Sequence, residues 1–467
     1  MDAAEFRVKA KEVVDFIADY METIENRRVS PDVNPGYLIN SVPKDAPEGP
    51  ESFEDIMKDF KNIILPGILH HQHPLFNAYF PLGHSFASIL GTMLSDGIGG
   101  ISTSWAISPA CTELEMVVTD WLGKLVSLPK QFLHEGGEGG GSIQGSGSEC
   151  IFLALSAAKR HAQQNTAERA PRLVAYISCL ANICVQKACS LGSVILRQIE
   201  VDENLSLSVE ALKKSIMIDK SNGLDPFFVC ATVGTTSCCS FDDVYELSEM
   251  CEKENLWLHV DAAYAGCALI CPEFHYLING KENISSISFN PHKWLLTTTE
   301  CAVLWVKNKK SLNDCLAANA TYLQHKHQAE TTDFRNWGIG ITRPFRALKL
   351  WFVLRLYGIS GLQEFIRRHI KLAKRMKDHI ESNHVFEIVG KSNLGLVAFC
   401  IKGPSKLTTT LLRNINESGN LHLTEASVNG RSVIRYVVCA EKAKEKDVDF
   451  AWSVISSAAD GIFSARG

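Results

Sequence analysis

The sequence predicts an α/β fold: a central, mostly parallel sheet flanked by helices, with an N-terminal helical segment and a C-terminal α+β domain. Short apolar runs at 173–178, 227–232, 256–260, 285–289 and 302–306 read as strands. Helical periodicity lies between most of them, as at 208–217 and 244–254, and strands this short and apolar suit a sheet covered on both faces. Beyond about residue 350 the pattern changes. One long helical stretch, 345–382, leads to strands at 384–389, 395–401 and 433–439 and helices at 405–417 and 445–463.

Taken in order, Phe6, Ala10, Val13, Ile17, Met21 and Ile24 share one face of a helix over 3–26. Such an apolar stripe needs a partner, either the main body or another subunit. Pro31, Pro43, Pro47 and Pro50 punctuate the link to a second helical stretch near 52–65. Helices are expected at 110–127 and 148–161, and the low-complexity stretch is a glycine run at 136–141. For 467 residues, at ~150 per domain, the expected division is an N-terminal segment 1–84 packing on a partner subunit, a large domain 85–350 and a small domain 351–467.

Composition narrows the function. A net charge of −5 lacks the basic face of a nucleic-acid binder. No apolar run approaches the roughly 18–20 residues of a membrane span. Residues 1–28 carry charge throughout, so no secretory leader is expected and the expected compartment is the cytosol. The 15 cysteines include no C-x-x-C pair and read as buried reduced thiols acting as small hydrophobes.

Three segments carry chemistry. In SFNPHKW (288–294), Lys293 follows an apolar strand and stands among aromatics and His292. Desolvation makes a lysine a usable amine for a Schiff base, although a lone lysine more often snorkels or pairs with an acid. In LWLHVDAAY (256–264), Asp261 ends an apolar strand, where open α/β sheets hold ligands; alone it reads equally as a helix N-cap. Together they are the pair that pyridoxal phosphate needs, a lysine for its aldehyde and a carboxylate to keep its pyridine nitrogen protonated. In QGSGSE (144–149), glycines and small hydroxyls precede a helix, which makes either a phosphate cradle or a flexible connection. No G-K-[ST] is present, so this is not a P-loop. His70, His71 and His73 are near-neighbours, as are His325 and His327. Packed or solvated histidines are commoner than metal ligands at such spacings, and the pyridoxal reading needs no metal.

HVDAAYAG, SFNPHKW, IQGSGSE, SWAISPACTELE and TYLQHKHQ together resemble the group II pyridoxal-phosphate decarboxylases, above all the animal aromatic L-amino-acid decarboxylases, over nearly the whole chain. The resemblance implies a fold type I transferase architecture and a homodimer with the active site at the subunit interface. It implies that Lys293 holds the cofactor aldehyde, Asp261 pairs with the pyridine nitrogen, Thr236 meets the phenolic oxygen and Ala263 packs on the ring. Gly147, Ser148, Asn290 and His292 would hold the phosphate. Tyr322 would ride on a mobile loop, about 316–332, that closes over the substrate from the partner subunit.

Asn182, in VAYISCLAN, departs from that pattern. The decarboxylases place there a histidine that stacks over the ring and assists proton delivery. Insect relatives with asparagine at this point belong to the aromatic acetaldehyde synthases, which decarboxylate the substrate, then oxidise and deaminate it with molecular oxygen. The chemistry follows from the side chain. A general acid beside the carbanion left by CO2 loss gives an amine, whereas an amide has no usable acid, so the carbanion persists to meet oxygen. Tyr79, Phe80, Leu82, Thr103 and Thr342 would line the substrate. Leu82 replaces a hydroxyl residue, Thr103 a phenylalanine and Thr342 a glycine, which disfavours catechols relative to phenylalanine or tyrosine. The expected function is therefore an aromatic acetaldehyde synthase. An amine-releasing aromatic amino-acid decarboxylase is the alternative. A silent cofactor-binding scaffold is a third reading, against which Lys293, Asp261, Thr236 and Tyr322 count.

Overall fold

The computed structural model describes residues 1–164, 172–317 and 320–464. The chain divides into two compact units, Leu82–Lys371 with Ile388–Ala398, and Met1–Pro81 with Leu372–Glu387 and Phe399–Gly467. The expected three-part division is thus drawn differently. The N-terminal residues group with the C-terminal ones, and the boundary falls inside the long helical stretch.

The larger unit is built on seven strands: β1 Gly140–Gln144, β2 Leu173–Ser178, β3 Ile195–Ile199, β4 Asp225–Thr232, β5 Trp257–Asp261, β6 Ser286–Phe289 and β7 Ala302–Val306. Their order is β1-β7-β6-β5-β4-β2-β3. Strands β3, β2, β4, β5 and β6 run parallel, whereas β7 is antiparallel to both β6 and β1. A parallel return needs a crossover that packs on a sheet face. Between β6 and β7 the only helix is the single turn Pro291–Trp294, so the chain comes back antiparallel. Every residue of β1, β2, β6 and β7 is buried. Helix Gly147–Gln164 lays Cys150, Ile151, Leu153, Ala154, Leu155, Ala157 and Ala158 into a core shared with β2, β4 and β7.

Strand β1 falls in and beside the glycine run, which hides it in the sequence. Gly141 is required there, because a Cβ would lie 2.6 Å from the Trp305 indole nitrogen and 2.7 Å from Thr119 Cβ. The long helix Ala347–Glu381 is broken at Gly358, whose φ of 65° interrupts it.

The smaller unit holds the hairpin Thr424–Val428 and Arg431–Val437. Its turn is Asn429-Gly430, both at positive φ, the pairing that a tight hairpin prefers. Helix Ala3–Glu22 opens on a capping box between Asp2 and Glu5, and none of its residues is buried. Among the described residues no helix is long and apolar enough to cross a membrane. The cysteines are free thiols, buried except for Cys179, Cys184 and Cys315.

Candidate active site

Several of the expected site residues lie at or just past the C-terminal ends of parallel strands, where backbone polar groups point outward and ligands of α/β sheets sit. Asn182 follows β2, Thr236 follows β4, Asp261 closes β5 and Asn290 follows β6.

Asp261 is buried, and its Oδ1 accepts a hydrogen bond from the Ala263 amide at 3.0 Å. Burial raises its pKa above the ordinary carboxylate value, while the nearby Lys293 ammonium and the Ala263 N–H pull it down. Lys293 stands on the turn Pro291–Trp294, and several contacts fix that turn. Its own N–H donates to the Asn290 carbonyl at 2.8 Å. Trp294 stacks on Tyr264 with ring centres 4.6 Å apart and donates its Nε1–H to His369 Nδ1 at 3.1 Å. The Gly83 amide donates to the His292 carbonyl at 2.5 Å. A Cβ at Gly83 would meet the Thr297 carbonyl oxygen at 2.4 Å and that of His292 at 3.0 Å, both rigid backbone. Gly83→Ala should therefore destabilise the fold by about 1–3 kcal/mol and shift the Lys293 turn. Thermal unfolding and the visible spectrum of the loaded enzyme check this; an unchanged pair of values contradicts it.

His292 accepts a hydrogen bond from the Cys301 amide on Nδ1 at 3.2 Å. Burial first, and the Lys293 charge second, bring its pKa down to about 4. The imidazole is neutral at neutral pH and carries its proton on Nε2, as a donor without charge. On the other side, Gly147 opens helix Gly147–Gln164, and a Cβ there would come within 3.0 Å of Asn290 Nδ2. Ser148 is exposed on the same first turn. The loop before it is tied back by the Gly145 amide donating to Glu149 Oε2 at 2.9 Å. Asn290 is buried, and its Oδ1 has no hydrogen-bond partner among the described residues.

Asn182 is the N-cap of helix Ile183–Leu191: its Oδ1 accepts from the Cys184 amide at 3.0 Å, and its Nδ2 donates to Thr236 Oγ1 at 2.9 Å. Ala263 is half-buried two residues beyond Asp261. Sequence reasoning missed Cys184, which lies within electrostatic reach of both Asp261 and Lys293. Burial pushes its thiol up to about 12, so it stays protonated and inert. Its place, two residues into the helix that Asn182 caps, was the available signal.

The expected substrate residues are dispersed. Leu82 is carried beside the Lys293 turn by Gly83. Thr103 is buried and its carbonyl accepts from the Arg335 amide at 2.9 Å, while the Ser102 amide donates to the Arg343 carbonyl at 2.8 Å, next to exposed Thr342. Tyr79 and Phe80 belong to the smaller unit. Tyr79 sits at φ 53°, with its carbonyl held by Arg435 Nη2 at 2.6 Å, and Arg435 lies over the Phe80 ring at 4.9 Å. Tyr322 is 81% exposed. Of the expected loop around it, Ala318 and Asn319 lie outside the described residues. His325, three residues on, bonds to Asp333 at 3.0 Å. The histidines considered as metal ligands make local bonds, His70 to Tyr20 at 2.7 Å and His327 to Glu330 at 3.1 Å, and no group of three metal-ligating side chains comes together among the described residues.

A buried acid within reach of a lysine, and a helix N-terminus abutting an amide with an unmet polar atom, fit pyridoxal phosphate. Asp261 is a buried carboxyl suited to a protonated ring nitrogen, and a Cβ at Gly147 would crowd the Asn290 amide across the cradle. The fold and site define a pyridoxal-phosphate-dependent carboxy-lyase. The conserved domain of pyridoxal-dependent decarboxylases matches residues 35–402, and the chain belongs to that family. The aromatic-L-amino-acid decarboxylase of Mus musculus is 46% identical, with all of both chains covered. Among solved structures, the 4-hydroxyphenylacetaldehyde synthase of Rhodiola rosea is 37% identical with a TM-score of 0.94, covering 99% of each chain. A TDC from Oryza sativa, solved with PLP and tryptamine, is 34% identical with a TM-score of 0.96, again covering 99% of each chain.

Proposed function

We propose that this enzyme converts an aromatic L-amino acid, oxygen and water to an arylacetaldehyde, CO2, ammonia and hydrogen peroxide, acting as a homodimer. The observation that carries the reading is the amide of Asn182 hydrogen-bonded to Thr236, at the point where an acid would deliver a proton. Pyridoxal phosphate, when bound, supplies the electron sink for loss of CO2. Lys293 holds its aldehyde, Asp261 keeps a proton on its ring nitrogen, and Gly147, Ser148, Asn290 and His292 hold its phosphate. Ala263 packs on the ring. Asn182 has no titratable proton to give, so the substrate carbon is left to oxygen. Leu82, Thr103 and Thr342 shape the ring pocket, and the helix Ala3–Glu22, with no buried residue, supports pairing with a second copy. The names of the animal and Oryza relatives support an aromatic substrate, and that of the Rhodiola relative supports an aldehyde product.

A second reading, release of the amine, is favoured by the retained Tyr322. Its phenol is exposed on a loop that can supply a proton from outside the cleft. Product analysis with phenylalanine, tyrosine, dopa and tryptophan, with an oxygen electrode running, separates the two. Oxygen uptake with peroxide and ammonia is expected; amine accumulating without oxygen uptake overturns the aldehyde reading. Asn182→His should raise the amine share of product. It also removes a helix cap at about 1 kcal/mol, so the product ratio is compared in variants matched for thermal unfolding. An unchanged ratio removes Asn182 from the choice of product.

A further inference from the structure

We propose that Asn182 is also a positioning residue: it sets the direction of the Thr236 hydroxyl proton. The inference rests on the reading above, in which Thr236 faces the phenolic oxygen of the cofactor.

An amide has one acceptor end and one donor end. The carbonyl end of Asn182 is committed, because Oδ1 caps helix Ile183–Leu191 by accepting the Cys184 amide at 3.0 Å. Only the NH2 end is left to meet Thr236 Oγ1, at 2.9 Å. Thr236 must therefore accept from Asn182. A hydroxyl has a single proton, and one that accepts here keeps that proton for another acceptor. No other hydrogen bond of Thr236 Oγ1 is present among the described residues. The helix cap, the amide and the hydroxyl thus form a one-way chain of donors ending on an O–H aimed away from residue 182. A phenolate oxygen is the acceptor such a group suits, and a donated bond there opposes loss of charge from the ring oxygen. Asn182 then has two effects from one geometry. It withholds a proton from the substrate carbon and aims another at the cofactor.

Asn182→Asp reverses the chain without removing the cap. Aspartate caps helices as well as asparagine, but a carboxylate only accepts, so Thr236 must turn its proton back to residue 182. The probe is pyridoxal phosphate itself, titrated into the apoenzyme and followed by its visible absorption and Kd. Asn182→Asp and Thr236→Val should each shift the absorption band in the same direction and raise Kd about tenfold. The double variant should remain about tenfold weaker than wild type, because both changes remove one bond. A hundredfold loss in the double variant would overturn the proposal, since the new carboxylate would then act by its charge alone. A wild-type band in Asn182→Asp, with a shifted band in Thr236→Val, overturns it too and leaves the role of Thr236 standing. A wild-type band and Kd in Thr236→Val removes the underlying reading of Thr236.

Discussion

Lys293→Ala is expected to fold, to bind pyridoxal phosphate that borohydride no longer fixes covalently to the protein, and to lose turnover by about 10²–10⁴-fold. The Lys349 amine, whose charge is felt at His292, is committed to the Thr299 carbonyl. The Cys184 thiol is held up at about 12, and the His292 imidazole is neutral and engaged with the Cys301 amide. The same change has a second, independent readout in the apoprotein. The Lys293 ammonium opposes the burial that raises the Asp261 pKa, so removing it lets that pKa rise further. A carboxyl whose folded pKa lies above its unfolded value contributes stability that is fully present below the unfolded value and lost as pH rises through the folded one. Relative to wild type, Lys293→Ala should therefore unfold more easily as pH is raised from about 4 towards neutrality, followed by chemical denaturation at several pH values. Cofactor fixed covalently by borohydride in the variant, or a stability difference that does not change with pH, would show that Lys293 and Asp261 do not form the working pair.

That pair was legible because it sits in contiguous motifs on strand ends, where one residue's place fixes its neighbours'. Asp261 closes a buried strand and Lys293 occupies the one tight turn between β6 and β7. Five of the seven strands were legible for the same reason, since a two-sided buried sheet writes unbroken apolar runs, whereas the edge strand β3, with Arg197 and Gln198 and only its last residue buried, writes none. What stayed hidden depends on partners distant in sequence. Strand β1 is made of Gly, Ser and Gln with one Ile, and becomes a strand only because the antiparallel β7 pairs with it from Gly140↔Val306 to Gln144↔Ala302. The direction of β7 was hidden too, since parallel and antiparallel buried strands share one pattern. The Asn429-Gly430 hairpin was visible in the sequence as a turn pair flanked by alternating residues, and only its second strand was expected. The hydrogen bond from Asn182 to Thr236 spans 54 positions and has no local signature.

The buried pair Glu115–Arg343 joins the end of the SWAISPACTELE motif to a residue 228 positions on, and it should dominate stability. Arg343 grips Glu115 through two bonds, Nη2 to Oε1 at 2.7 Å and Nη1 to Oε2 at 3.1 Å, with both side chains almost wholly buried. The same guanidinium donates to the Ile143 and Ser102 carbonyls at 2.7 and 3.2 Å and lies over the Phe334 ring at 5.0 Å. Glu115 in turn accepts from the Ile143 amide at 2.8 Å and the Ser102 hydroxyl at 3.2 Å. One ion pair thus fastens three segments, the end of β1 that leads into the Gly147 cradle, the stretch carrying Thr103 and the stretch carrying Thr342. Glu115→Gln leaves Arg343 charged and unpaired in the interior, and should cost about 3–5 kcal/mol in chemical denaturation. Glu115→Leu with Arg343→Met removes both charges together and should recover most of that loss. It should not recover function, because the side-chain bonds that tie the Thr103 stretch to the Thr342 stretch are then gone and the backbone bond from Ser102 to Arg343 is left to hold them. KM for the aromatic substrate should rise at least several-fold in this double variant while the borohydride-sensitive band persists. A Glu115→Gln protein within about 1 kcal/mol of wild type would mean that water reaches the pair and solvates Arg343. A double variant with wild-type KM would mean that the two segments keep their places without it, and that Thr103 and Thr342 owe their positions to the backbone bond from Ser102 to Arg343.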